Sequence, residues 1–181
     1  MNLQPVLEGE LVSLRPLKEE DREPLYQIAK DPFIWEQHPA SDRFQRKVFL
    51  DFFEESIKSC GALIIKENVT DQIIGSSRFK RIENSTRAVE IGWSFLSKDK
   101  WGGKYNRAFK SLMIDYALEH IDHIIFFLGL KNVRSQRAVE KLGGQRIEDK
   151  SLRYLVKQGT DDLTYRIGAL EWQEVKARVE R

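Results

Sequence analysis

Between His123 and Lys131 the chain reads Ile-Ile-Phe-Phe-Leu-Gly-Leu, apolar at every position except Gly129. A strand with one wetted face alternates, so an unbroken apolar run predicts a central strand covered on both sides. That requirement selects a layered α/β domain, and the flanking sequence supplies the covers. Upstream, Ala108, Phe109, Leu112, Met113, Tyr116 and Ala117 recur at helical spacing. Downstream, Asn132 opens a helical stretch that Gly143 and Gly144 close, which predicts an Asn-capped helix with a glycine stop. The run is also far shorter than the roughly 20 residues a membrane span needs, so no membrane partner is expected.

The remaining elements fit around this β–helix–β crossover. Val89, Ile91, Trp93 and Phe95 alternate with Ala88, Glu90, Gly92, Ser94 and Leu96, which predicts a strand with one apolar face. Its other face is small and polar, with the Glu90 carboxylate in the middle. Ala62–Lys66 and Gln72–Lys80 read as two strands around a polar turn at Asn68–Asp71, and Glu10–Leu14 as a first strand ending near Pro16. Acidic residues Glu19 to Glu23 precede Leu25, Ile28 and Ala29 in a first helix. Ser41 is positioned to cap a second, with Phe44, Val48, Phe52 and Phe53 on one side. Leu152–Val156 and Leu163–Ala169 predict a hairpin across Gln158–Asp162, followed by a terminal helix that Trp172 anchors. The expectation is one domain over residues 1–181, with a mixed sheet of about seven strands.

Composition narrows the partners. The 181 residues are 41% hydrophobic and 32% charged, a globular balance. Thirty Lys and Arg against 28 Asp and Glu leave +2, without the basic excess of a nucleic-acid-binding domain. The average hides a local excess, because residues 98–110, KDKWGGKYNRAFK, hold five basic residues and one acidic. Glycines before a helix N-terminus let backbone N–H groups approach an anion, a combination suited to a diphosphate. A solvated loop with scattered basic residues is the plainer alternative. The spacing matches neither a P-loop nor a G-x-G-x-x-G fingerprint. Cys60 is the only cysteine, which rules out an intrachain disulfide, and a small buried hydrophobe describes it better than a nucleophile. The N-terminus MNLQPVLEGE has no basic or apolar leader region, and a cytoplasmic location is expected. His120 and His123 lack neighbours at ligand spacing, so no metal is expected.

Two motifs carry a family resemblance. Trp101-Gly102-Gly103-Lys104-Tyr105-Asn106 is similar to a pyrophosphate loop of form [QR]-x-x-G-x-[GA]. Asn132, Ser135, Glu140, Lys141 and Gly143 fill N-x-x-S-(x)4-E-K-x-G. With the order of elements, the chain resembles the GNAT superfamily of N-acetyltransferases from Leu11-Val12-Ser13-Leu14 to Glu171-Trp172. The branch it resembles most contains the ribosomal-protein N-terminal (Rim-type) acetyltransferases. The resemblance implies a β-α-β-α acyl-CoA-binding core, acetyl-CoA as co-substrate, and direct transfer to a small-molecule amine or a protein N-terminus. It also implies pairing of two copies through late strands. It assigns cofactor contacts to Phe95, Leu96 and Ser97 through main chain, to residues Trp101, Gly102, Gly103, Lys104, Tyr105 and Asn106, and to Asn132 and Ser135. Lys104 stands where the family has a glycine, which predicts a slightly altered path for the loop.

The same resemblance implies roles in catalysis. Glu90 is the candidate general base acting through water, and a carboxylate bonded to a neighbouring strand or solvated is its alternative. Val139 occupies the position of the family's tyrosine acid, leaving Ser135 as the candidate proton donor or as a local cap partner. Trp35 and His38 are candidates for the acceptor pocket. Otherwise Trp35 is a lid on the core and His38 a surface residue beside Pro39. A non-catalytic CoA-binding or regulatory module on the same fold is the rival function.

Overall fold

The computed structural model describes all residues except Asn84, Asp149, Lys157, Gln158, Glu180 and Arg181. Eight strands form one sheet: β1 (Leu7–Glu8), β2 (Val12–Pro16), β3 (Ala62–Glu67), β4 (Ile73–Arg81), β5 (Ala88–Leu96), β6 (His123–Leu128), β7 (Gln145–Arg146) and β8 (Leu163–Ile167). Their spatial order is β1-β2-β3-β4-β5-β6-β8-β7. Only β5 and β6 run parallel, and α3 (Lys104–Leu118) makes the crossover between them. The other helices are α1 (Arg22–Ala29), α2 (Arg46–Lys58), α4 (Val133–Glu140) and α5 (Ala169–Val179).

Burial divides the helices between two faces. Phe109, Met113, Ile114 and Ala117 of α3, Val139 of α4 and Trp172 and Val175 of α5 cover one face, against Leu63, Ile65, Phe79, Ile91, Ile124 and Phe126. Leu25, Ala29, Phe49, Phe52 and Phe53 of α1 and α2 cover the other, against Ala62, Ile64 and Phe95. On β6, Ile124 and Phe126 pack into the α3 side, while Ile125 on the opposite face is covered by Leu155 of the segment before β8. Trp172 anchors α5, its indole N–H donating to Asp115 Oδ1 at 2.7 Å. Among the described residues, no helix is long and apolar enough to cross a membrane.

Several expectations are corrected, and Cys60, expected to be buried, is exposed. The sheet has eight strands rather than about seven, because the two-residue strands β1 and β7 pair at its edges. The late hairpin does not form. Lys150–Leu155 is a 3₁₀ helix, which brings Leu152 and Leu155 onto Ala88 and Ile125, and β8 pairs instead with β6 and β7; Gln158 of the expected turn lies outside the described residues. The second helix starts at Arg46 after Gln45, not at a Ser41 cap, and its buried side chains are Phe49, Phe52, Phe53 and Ser56.

The alternation of β5 also fails halfway. Ser76 pairs with Phe95 and Arg78 with Gly92, so Trp93 and Ser94 together oppose Ser77. This is a β-bulge, and Trp93 adopts φ +52° there, which costs a non-glycine residue about 1–2 kcal/mol. Beyond it the faces exchange: Val89, Ile91 and Leu96 pack on the α3 side, while Phe95 packs on the α1–α2 side. Side chains from both faces hold the bulge. The Arg78 guanidinium stacks 4.4 Å from the Trp93 ring centre, Ser77 Oγ lies 2.8 Å from Ser94 Oγ, and Lys110 Nζ donates to Ser94 Oγ at 2.6 Å.

Lys110 is buried beneath the bulge, and burial pushes its ammonium down to about 7. Its unfolded value is about 10.4, so between roughly pH 7 and pH 10 the unfolded chain binds more protons and stability rises with pH. Lys110→Met removes this contribution. Calorimetry at pH 7 and pH 9 should show a smaller gain in thermal midpoint in the variant than in wild type; equal gains would contradict the burial argument.

Candidate active site

The site begins where two strands separate. β5 pairs with β6 only at Ala88, Val89 and Glu90, opposite His123, Ile124 and Ile125. β6 remains paired with β8 through Leu128, while β5 turns away at its bulge. From Ile91 to Leu96 the edge of β5 facing β6 has no strand partner, so its peptide groups border an open wedge. The segment joining α1 to α2 closes the far end. A Cβ on Gly129 would lie 2.9 Å from Pro39 Cγ, Arg134 N–H donates to Gln37 Oε1 at 3.1 Å, and Arg134 Nη2 donates to the Ile34 carbonyl at 2.8 Å.

Beyond β5 the chain makes the glycine turn. Gly102 has φ +68° and Gly103 is the extended N-cap of α3. Lys104 is the first helical residue and is not among the residues at positive φ, so its lack of glycine's freedom strains nothing. No described protein group accepts the N–H of Gly102, Gly103, Lys104, Tyr105 or Asn106. These donors and the helix dipole face an approaching anion together. The N-terminus of α4 differs, because Gln37 takes the N–H of Arg134 and Asn132 Oδ1 takes that of Ser135 at 3.2 Å.

Side chains from the core fix the turn. Glu67, buried at the end of β3, accepts hydrogen bonds from Lys100 Nζ at 2.9 Å, Tyr105 Oη and Thr70 Oγ1 at 2.7 Å. Those bonds, led by Lys100, pull its carboxyl down to about 2. The Trp101 indole donates to the Leu96 carbonyl at 3.0 Å, and the Arg134 guanidinium stacks 4.1 Å above that ring. Ser97 spends its N–H on Ile74 and its carbonyl on Lys100. The side chains of Tyr105 and Trp101, and the main chain of Ser97, are therefore engaged in shaping the turn. Glu67 and Arg134, which organise it, carry no motif that a reading of the sequence would single out.

On the α1–α2 face, the Glu90 carboxylate lies over Gly92, where an added Cβ would meet Oε1 at 3.0 Å. Glu90 registers with Ile125 on β6 at the last paired position before the wedge. Across the wedge, Asn132 is buried as the N-cap of α4 with Ser135 one turn further. Ser135 Oγ has no hydrogen-bond partner among the described residues. Trp35 is 2% exposed, packs 5.1 Å from Phe95 and donates its indole N–H to the Ala29 carbonyl; it forms a wall rather than a polar contact. His38 stands edge-on to Trp35, and its Nδ1 accepts the Ala40 N–H at 2.9 Å. Burial first, then the Arg43 charge, lower His38 to about 4, so the ring is neutral near pH 7. Among the described residues no three His, Cys, Asp or Glu side chains converge on a metal position.

A wedge between parallel strands beside a helix N-terminus with unspent donors is geometry that suits an extended ligand with an anionic end. The sequence model of the Acetyltransferase (GNAT) domain matches residues 12–145, and the chain belongs to that family. No curated protein sequence matches it. Among solved structures, a GCN5-related N-acetyltransferase from Brucella melitensis superposes with a TM-score of 0.75 at 18% identity, over 98% of this chain and 84% of that one. A GNAT-family acetyltransferase from Bacillus anthracis gives 0.71 at 16%, over 91% and 98%. Mycobacterium smegmatis RimJ in complex with CoA-disulfide gives 0.68 at 16%, over 98% and 94%. At these identities the likeness is one of fold.

Glu67 should remain ionised well below the ordinary carboxylate range. A carboxyl-carbon NMR titration is expected to show it charged at pH 3.5. The stability its depressed pKa contributes, present above about pH 4.5, is lost as pH falls toward about 2. A midpoint near 4.5 would contradict the Lys100–Tyr105 network.

Proposed function

We propose that this chain transfers an acetyl group from acetyl-CoA to a primary amine, by direct attack in a ternary complex. The observation that carries the reading is the wedge between β5 and β6 ending at the free donors of residues 102–106. In this reading the diphosphate takes those N–H groups, aided by the positive side chain of Lys104, and the pantetheine arm lies along the unpaired edge of β5. Phe95 and Leu96 contact it through main chain, and Asn132, whose Nδ2 makes no protein hydrogen bond among the described residues, contacts it from α4. The Rim-type branch, with a protein N-terminus as acceptor, is one form of this activity and a small-molecule amine is the other.

The chemistry follows from what the residues supply. An ammonium must lose a proton before it can attack, and Glu90 takes it through a water. The amine nitrogen then bonds to the thioester carbonyl carbon, while a backbone N–H at the β5 bulge stabilises the developing oxyanion. Collapse breaks the C–S bond and leaves a thiolate and an N-protonated amide; Ser135 Oγ gives its proton to the thiolate and regains one as the amide nitrogen sheds its extra proton through water. Aligning two bound substrates supplies much of the rate, so no covalent enzyme intermediate is needed. The rival, a non-catalytic CoA-binding module, leans on Lys104 departing from the family's glycine, and a helical Lys104 beside a Gly102 that takes the positive φ weakens that ground.

Thiol release from acetyl-CoA over a panel of amines tests the reading. Glu90→Gln should lower kcat about 10²- to 10⁴-fold with CoA affinity unchanged by calorimetry. Unchanged turnover would remove Glu90 from the mechanism, and cofactor binding without turnover on any amine would favour the rival. Gly102→Val strains the turn by about 1–2 kcal/mol and should weaken CoA binding about tenfold; unaltered affinity would place the diphosphate elsewhere.

A further inference from the structure

On the α1–α2 face of the wedge Arg78 is buried and Arg43 half-buried, and neither forms an ion pair with a carboxylate among the described residues. Arg78, on β4, registers with Gly92 and is 6% exposed. Arg43 comes from the segment before α2. Both guanidiniums bear on the same ring, 4.2 Å (Arg43) and 5.7 Å (Arg78) from the centre of Phe52. Arg43 also lies 5.0 Å from the Trp35 ring, and Arg78 4.4 Å from that of Trp93. The only side-chain hydrogen bond of the pair among the described residues runs from Arg78 Nη2 to Ser56 Oγ. Arg43 Nε, Arg43 Nη1 and Arg78 Nε are buried with no hydrogen-bond partner among the described residues.

Two neighbouring cations in an apolar cluster are costly unless an anion joins them. Burial depresses both guanidiniums to about 10, and the Glu55 and Asp42 charges on Arg43 and the Glu55 and Glu90 charges on Arg78 only partly offset this. A planar fork of donors fits a carboxylate best. The CoA diphosphate is a poor candidate occupant. From Gly92 to Leu96 the chain rises about 13 Å, and the free donors of α3 lie beyond that. Gly92 is two residues, about 7 Å, from Glu90, the proposed base.

Resting on the acetyltransferase reading, we propose that the acceptor is an amine with a carboxylate a few bonds from its nitrogen, as in a free amino acid, and that Arg43 and Arg78 bind that carboxylate. Their aromatic neighbours Trp35, Phe52 and Trp93 form the walls of the pocket.

Two measurements test this separately from the acetyltransferase reading. Initial rates with acetyl-CoA compare free amino acids with their carboxamides and with peptides carrying the same first residue. The free acids should be preferred about 10- to 100-fold in kcat/KM, and Arg43→Gln should erase most of that preference, chiefly through KM. Arg43→Lys, keeping charge but not the fork, should restore only part. Equal rates for acid and amide, or faster peptides, would overturn the proposal while leaving the transferase intact. Calorimetry of N-acetyl amino acids against their amides, on the CoA-saturated protein, reads the same pocket without turnover. Binding of the acids alone, lost in Arg43→Gln, supports the proposal even if no amine is acetylated; failure of both acids and amides to bind overturns it.

Discussion

Everything at the candidate site depends on one departure from regular pairing, the bulge at Trp93. An ideal strand of this sequence would keep β5 against β6 for its whole length and leave no space between them. Two residues facing Ser77 turn β5 aside after Glu90, and the strand exposes peptide groups inside a sheet that otherwise spends them on its neighbours. Positive φ at a tryptophan opposes this geometry. The opposition is met from both faces, by stacking of Arg78 on one side and by Lys110 with the Ser77–Ser94 pair on the other. A strained segment held by groups that are themselves expensive to bury is expected of a binding site rather than of a stabilising core.

A second layer of interactions places the glycine turn against that wedge. Glu67 reaches from β3 to Lys100 and Tyr105, Trp101 ties the turn to Leu96, and Arg134 joins the turn to α4 and to the α1–α2 segment. Four parts of the chain distant in sequence thus set the position of five unspent N–H groups. Loss of any one link loosens the donors without deleting them, so positioning and binding can be separated by mutation.

Much of this was legible in the sequence where local periodicity and tertiary demand agree. The run at 124–130 announced a central strand, buried at Ile124–Phe126 although it ends at Leu128 and leaves Leu130 exposed, and the Asn132 and Gly143 signals bounded α4. The glycine turn was legible as a break ahead of a helix N-terminus, although the residue at positive φ is Gly102 and Lys104 simply begins the helix. Alternation misled at Trp93 because a bulge reverses the faces without any change in hydrophobic pattern. The late hairpin failed because Leu152 and Leu155 suit a 3₁₀ turn over Ala88 and Ile125 as well as a strand. Glu67, Arg43 and Arg78 were invisible as site residues for a plain reason: a charged side chain looks solvated until the fold shows it buried.

Hydrogen–deuterium exchange of the full chain with and without CoA tests the central claim most directly, because the claim concerns named backbone N–H groups. Saturating CoA should slow exchange at residues 92–96 and 102–106 together, leaving the N-terminus of α4 at Arg134 and Ser135 nearly unchanged where side chains already hold it. Protection elsewhere, or none at millimolar CoA, would contradict the account.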